Sequence, residues 1–161
     1  MTVAQYNRCV DSYADGLFRF VSKNLRDRER AKDIVQDTFV KLWEKVDNVN
    51  FEKAKSYLFT TAYHSMIDVI RKEKRTELVE EWNGNEGIQQ PNKSGLKEVV
   101  ESALMRLPEI QRTVVMLRDY EGYSYEEIGG ITGLSDAQVK VYIYRARTAM
   151  KLFIGKMDLV L

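Results

Sequence analysis

The chain has 161 residues, of which 44% are hydrophobic and 30% are charged, a composition typical of folded globular proteins rather than disordered ones. Its single cysteine, Cys9, excludes an intramolecular disulfide, and a reducing compartment, the cytoplasm, is expected. No apolar run approaches the roughly 20 residues that a bilayer span requires, and the N-terminal residues are too polar for a signal peptide. We therefore expect no direct membrane insertion.

The formal net charge of +1 conceals a segregation of charge along the chain. Residues 71–75 carry four basic groups and one acid, and residues 136–156 carry five basic groups and one acid. Residues 76–86 contain four glutamates and neither Lys nor Arg. Because salt screens charges beyond about 8–10 Å, local charge decides phosphate binding more than total charge does. The two basic stretches are therefore compatible with a nucleic-acid partner.

Apolar residues recur at steps of three and four, and no clear alternating strand pattern is present. This periodicity predicts an all-α fold. Three stripes carry the pattern: Ala31, Ile34, Val35, Thr38, Phe39, Leu42, Trp43 and Val46; Leu58, Ala62, Met66, Ile67 and Ile70; and Leu96, Val99, Val100, Ala103, Leu104 and Leu107.

A break in the middle of the chain divides it into two small helical domains. Residues 83–95, NGNEGIQQPNKSG, combine three glycines and a proline with polar groups, a composition typical of a flexible linker. We predict an N-terminal helical domain at 4–76, a linker at 77–95 and a C-terminal helical domain at 96–157. The acidic residues 77–82 belong either to the end of the first domain or to an ordered part of the linker.

Two helix starts lie close together in the C-terminal half. Ser124 with Glu127, and Ser135 with Gln138, each have the spacing of a capping box, in which the hydroxyl and the N3 side chain satisfy each other's backbone N–H groups. Gly133 suits the left-handed position at which a helix ends. The pattern predicts a helix at 125–132, a tight turn and a second helix from 136.

The residues around this turn predict how the two helices cross. Gly129 lies where they would approach most closely, and the shared core would be formed by Ile128, Leu134, Val139 and Tyr142. This is the geometry of a DNA-binding helix-turn-helix, whose second helix enters the major groove. The cationic second helix favours DNA binding over a helical corner with a solvated basic face.

Residues 104–152 closely resemble the fourth domain of extracytoplasmic-function sigma factors. The resemblance rests on Leu107, Pro108 and Arg112 (LP-x₃-R), then EGYSYEEI, then VK-x₄-RAR; Pro108 also suits the first residue of a helix. It implies that the second helix reads the −35 promoter element. Many members carry Ser and Arg where this chain has Val141 and Tyr142, which leaves base preference open and admits an apolar contact with thymine methyl groups. The implied −35 residues are Gln138, Lys140, Val141, Tyr142, Tyr144, Arg145 and Arg147.

Residues 31–43, AKDIVQDTFVKLW, resemble the helix with which these sigma factors grip the polymerase clamp. Without the resemblance, a plain amphipathic helix with a solvated polar side would be the better interpretation. The resemblance implies that the face opposite the apolar stripe meets core polymerase. That face carries Asp33, Gln36, Asp37, Val40, Lys41 and Glu44.

Residues 57–75 resemble the family segment that melts and reads the −10 element. Aromatic side chains can stack on unpaired bases, and a flipped base requires a polar pocket. His64 occupies the position where relatives often place a pocket-lining asparagine. The alternative is that the aromatics pack in a core and that His64 is an ordinary surface or core residue. The implied −10 residues are Tyr57, Phe59, Tyr63, His64, Asp68, Arg71 and Lys72.

The resemblance covers both halves and implies a non-enzymatic sigma factor that directs RNA polymerase to promoters. Its expected partners are core RNA polymerase, promoter DNA and an anti-sigma factor. No cofactor or metal is expected, because the sequence has no Walker lysine loop, no paired-cysteine spacing and no Cys/His dyad. Two alternatives remain: a stand-alone dimeric helix-turn-helix regulator, and a helical adaptor that touches no DNA.

Overall fold

The computed structural model describes residues 1–77 and 95–160 and contains no β-strand within them. The predicted all-α fold is confirmed. The predicted linker, 77–95, lies almost entirely outside the described residues and stays a prediction. In the two described ranges no helix combines the length and the apolar character needed to cross a membrane. The helices are α1 (Val3–Leu25), α2 (Arg28–Glu44), α3 (Ala54–Glu77), α4 (Leu96–Met105), α5 (Glu109–Val115), α6 (Tyr125–Thr132) and α7 (Asp136–Val160).

Helices α1–α3 form the N-terminal module. Thr2 and Gln5 close a capping box at the start of α1, and Arg26 ends that helix in the left-handed conformation with φ 57°. Asp27 then starts α2 by accepting hydrogen bonds from the backbone N–H groups of Glu29 and Arg30, which satisfies two amides that have no partner within the helix. The core of the module is formed by fully buried side chains of Leu17, Phe20, Leu42, Leu58 and Met66.

Helices α4–α7 form the C-terminal module, in which α7 packs against α4, α5 and α6. Pro108 lies immediately before the first residue of α5, one position earlier than the sequence predicted. After α5 the chain widens into a π-helical turn over Met116–Tyr120 before it reaches α6. The core of this module contains Leu104, Val114, Leu117, Ile128 and Ile143.

The two modules pack directly on each other through α1 against α5 and α3 against α6. The ring of Phe59 on α3 lies 5.6 Å from that of Phe20 and 5.8 Å from that of Tyr123, both in edge-to-face geometry. Because Tyr123 belongs to the C-terminal module, the hydrophobic core is continuous between the modules.

Candidate nucleic-acid and polymerase interfaces

Two capping boxes build the helix-turn-helix. Ser124 Oγ accepts from the Glu127 N–H at 3.1 Å, and Glu127 Oε1 accepts from the Ser124 N–H at 3.0 Å. The hydrogen bonds from Ser124 lower the pKa of the Glu127 carboxyl. Ser135 and Gln138 repeat the same exchange at the start of α7, and Gly133 ends α6 with φ 80°. The predicted helix at 125–132 and the second helix from 136 are confirmed.

The close approach predicted at Gly129 is also confirmed. A Cβ atom on Gly129 would lie 2.8 Å from the carbonyl oxygen of Leu134, whereas a Cβ atom on the adjacent Gly130 would meet nothing within 4 Å. Ile128 and Val139 are fully buried between the helices. The turn that leads into α7 is therefore held against α6 by a backbone contact that only glycine allows.

The exposed face of α7 carries most of the residues predicted for the −35 element. The side chain of Tyr144 is 72% exposed and that of Val141 is 44% exposed. Tyr142 is half-buried and packs against the core, so less of its ring is open to a ligand. The other predicted residues are exposed: Gln138, Lys140, Arg145 and Arg147.

The two arginines on this face differ in their surroundings. Arg147 points its guanidinium at Asp119, with Nη2 2.5 Å from Oδ1 and Nε 3.3 Å from Oδ2, and this pairing raises the pKa of Arg147. Arg145 is exposed and makes no hydrogen bond or ion pair with any residue of 1–77 or 95–160. In this structure Arg145 is therefore the arginine whose five donors are open to a base or a phosphate.

A shallow cationic cleft of about 270 Å³ lies beside α7. The Lys140 ammonium is 5.9 Å from the ring centroid of Tyr125, and the Arg118 guanidinium is 5.0 Å from the same ring. The cations that line the cleft are Lys140, Arg147 and Lys151, whereas Arg118 contacts Tyr125 outside the cleft. Cations held beside an aromatic ring and an open helix face are an arrangement suited to the phosphates that flank a base-reading helix.

The residues predicted for the −10 element divide into two groups. One row on α3 is exposed and consists of His64, Asp68, Arg71 and Lys72, whose spacing places them on one helix face. The aromatics lie deeper. Phe59 is fully buried and Tyr63 is 8% exposed, while Tyr57 is half-buried beneath the Lys45 ammonium. A base cannot reach Phe59 in this arrangement of the modules.

The predicted polymerase face of α2 is open to solvent, and it includes a side chain that the sequence pattern assigned to the core. Asp33, Gln36, Asp37, Val40 and Glu44 are exposed, and the half-buried Lys41 pairs with Asp37 at 3.1 Å. Trp43, placed by its periodicity in the apolar stripe, is instead 48% exposed and stacks edge-on against Tyr6. The large indole is rarely buried completely.

The chain matches two protein families, one over each module. Residues 9–76 match Sigma-70 region 2, and residues 97–150 match Sigma-70, region 4. Among curated relatives, the RNA polymerase sigma factor SigV of Bacillus subtilis is 29% identical, with 94% of this chain and 92% of that protein covered. The ECF RNA polymerase sigma factor SigM of the same organism is 27% identical, with 86% and 88% covered.

A solved structure extends the likeness to the fold of both modules. The sigma factor RpoE, in a co-crystal structure with the anti-sigma factor NepR from Bartonella quintana, superposes with a TM-score of 0.77 at 26% identity. The superposition covers 95% of this chain and 98% of the other. CnrH, solved in complex with the cytosolic domain of CnrY, shares the fold, with a TM-score of 0.65 at 23% identity over 94% and 88% of the chains.

Proposed function

This chain belongs to the extracytoplasmic-function sigma factor family and directs RNA polymerase to promoters, and from that premise we propose which partner each of its two modules binds. The C-terminal module binds the −35 element as duplex through the exposed face of α7. The N-terminal module binds core polymerase through α2 and holds unpaired −10 bases along α3. Each module alone binds weakly, so selectivity depends on both being held by one polymerase.

The observation that carries this proposal is the helix-turn-helix with an exposed, cationic second helix. Arg145 is open to solvent within the N-terminal half of α7, and the N-terminal part of a recognition helix contacts base edges. The exposed Val141 and Tyr144 offer apolar surface for thymine methyl groups. Lys140 and Lys151, beside the cleft, are suited to hold flanking phosphates.

The row His64, Asp68, Arg71 and Lys72 supports a −10 role for α3, because it combines hydrogen-bonding groups with cations on one exposed face. The exposed side of α2 supports a protein contact. Val40 and Trp43 give it an apolar centre, and the acids around them give it a polar rim. We assign that side to core polymerase.

The chain acts as a regulatory subunit without catalysis of its own, in the cytoplasm, and is held by an anti-sigma partner until it is needed. The solved relative bound to NepR supports that partner class. A stand-alone dimeric regulator or a helical adaptor would leave the match of residues 9–76 to Sigma-70 region 2 without a role.

Arg145→Ala tests the −35 assignment. We expect transcription from a promoter with a matched −35 element to fall about 10- to 100-fold, since a bidentate arginine–base contact contributes about 1–3 kcal/mol. Binding to core polymerase should not change, because Arg145 lies outside α2. Run-off transcription and a core pull-down measure the two effects.

The matched control for this variant is Arg8→Ala, which removes an exposed arginine from α1. It should leave both measurements unchanged. The assignment of Arg145 is wrong if the Arg145→Ala variant gives as much transcript as the wild-type protein on each promoter, with and without a −35 match.

A further inference from the structure

A π-helical turn sets an acidic side chain against α7. The turn covers Met116–Tyr120, and the Glu121 N–H donates to the Met116 carbonyl at 3.2 Å, with the wide spacing of a π-helix. Turns of this kind are uncommon and recur at functional sites. Asp119, within the turn, accepts from Nη2 and Nε of Arg147 at 2.5 and 3.3 Å. Because this pairing is bidentate, it fixes the orientation of the guanidinium as well as its position.

The neighbouring residue of the same turn fixes the turn to α6. Arg118 donates to the backbone carbonyl of Tyr123 at 2.9 Å, and its guanidinium lies 5.0 Å from the ring centroid of Tyr125, the first residue of α6. The place of Asp119 beside α7 is therefore supported by contacts other than its own ion pair. The acid stands ready beside the helix, and Arg147 folds onto it.

Arg147 is the middle member of a row of cations on α7. Lys140, Arg147 and Lys151 lie seven and four residues apart, which places them on one face of the helix, and all three line the cleft beside Tyr125. Among the residues that the structure describes, Arg147 is the one member of this row paired with an acid. The row therefore consists of two ammonium groups without an acidic partner and one neutralised guanidinium between them.

A free arginine in such a row would bind phosphates of any duplex, because phosphates carry no sequence information. Each phosphate that a cation neutralises adds about 0.9 to the slope of log affinity against log salt concentration. Asp119 opposes this binding in two ways. Its carboxylate occupies the donors that Arg147 would offer to a phosphate, and its charge cancels the charge of the guanidinium.

We propose that Asp119 limits the affinity of α7 for DNA of any sequence by holding Arg147 away from phosphates. Asp119 is thus a positioning residue that acts through Arg147. The inference rests on the proposed assignment of α7 to duplex DNA and adds to it a restraint on sequence-independent binding. Because Arg145 has no acidic partner within the described ranges, base contacts supply a larger share of the binding free energy while Arg147 stays paired.

Fluorescence anisotropy of the full chain with a labelled duplex of unrelated sequence, at several salt concentrations, tests this role. We expect Asp119→Asn to bind about 3- to 10-fold more tightly than the wild type near about 100 mM salt and to steepen the salt slope by about 0.9, because one more phosphate is neutralised. Asp119→Glu keeps a carboxylate beside Arg147 and should restore most of the wild-type behaviour. The matched control is Asp11→Asn, which removes an exposed carboxylate from α1 and should bind like the wild type.

The same substitution in an Arg147→Ala background separates the restraint from simple repulsion of phosphates. Without Arg147 the gain in affinity should lose most of its size and the salt slope should not change, because no guanidinium is left to release. A gain of equal size in both backgrounds would show that Asp119 only repels phosphates, and the proposal would be wrong. An Asp119→Asn variant that binds like the wild type would also overturn it.

Failure of the DNA assignment itself gives a different result. Lys140→Ala removes a cation of the same row that has no acidic partner, so it should weaken binding and flatten the salt slope. If Lys140→Ala changes neither, the assignment of α7 to DNA is wrong and the role of Asp119 falls with it. If Lys140→Ala weakens binding while Asp119→Asn matches the wild type, only the role of Asp119 is wrong. Circular dichroism checks that each variant keeps its helices.

Discussion

Gly129→Ala is expected to abolish −35-dependent transcription and to lower the free energy of unfolding by about 1–3 kcal/mol. This loss of stability is opposite to the usual effect of the substitution. Alanine in place of a helical glycine normally raises the free energy of unfolding by about 0.5–1 kcal/mol. Here the new Cβ atom would lie 2.8 Å from the Leu134 carbonyl oxygen. The backbone carbonyl cannot rotate away as a side chain can, so the turn between α6 and α7 must shift and displace the start of α7.

Gly130→Ala is the matched control, since it makes the same change one residue later in the same helix with nothing within 4 Å. It should stabilise the protein slightly and leave transcription unchanged. Urea denaturation and run-off transcription of both variants measure the contrast. Equal behaviour of the two alanine variants would show that the helix crossing does not depend on Gly129.

Arg112→Ala is expected to cost about 2–4 kcal/mol in the free energy of unfolding. Arg112 on α5 is buried against Asn24 of α1, so the substitution opens a cavity between the modules. It also takes the arginine donor away from the Leu107 carbonyl and from Asn24. Arg112→Lys should recover little of the loss, because one ammonium cannot replace a planar guanidinium that reaches several acceptors. Urea denaturation at one protein concentration measures both variants.

Arg106→Ala is the control for this second prediction. Arg106 is exposed in the same module and stacks on Phe153 at 4.4 Å, so its loss should cost about 1 kcal/mol or less. If Arg112→Ala is no more destabilising than Arg106→Ala, the buried arginine does not hold the interface. A milder, broadened transition for Arg112→Ala alone would indicate that the modules unfold separately once uncoupled.

The helix-turn-helix could be predicted closely from the sequence because its determinants are local. A capping box is complete within four residues, and Gly133 needs no distant partner to end α6. The close approach at Gly129 involves Leu134, only a few residues away. Local chemistry of this kind leaves few alternatives, so the predicted bounds and the observed ones agree.

The placement of the aromatics could not be predicted in the same way, because it depends on distant chain segments. Phe59 suits a base-stacking role in sequence, but its surroundings are completed by Phe20 from α1 and by Tyr123 from the other module. Trp43 follows the core periodicity of α2, but its side chain is exposed on the same side of the helix as Val40 because Tyr6 covers only part of its ring. Helical period alone does not say which neighbour covers a side chain.

The contacts of Glu121 with Arg19 and Lys55 in the N-terminal module also depend on distant chain segments. No sequence pattern predicts a contact between Gly16 and a glutamate of the distant C-terminal module. By sequence alone, Gly16 is an ordinary small residue within α1. The link is visible only once the two modules are docked. These contacts between the modules therefore depend on the tertiary structure and cannot be predicted from local sequence.

The most direct measurement is reconstitution of the purified chain with core RNA polymerase on fragmented genomic DNA, followed by mapping of transcript start sites. We predict that the chain co-elutes with core enzyme and that new transcripts begin downstream of a shared pair of sequence elements. Absence of any stable complex with core enzyme from low to high salt, together with unchanged start sites, would contradict the account.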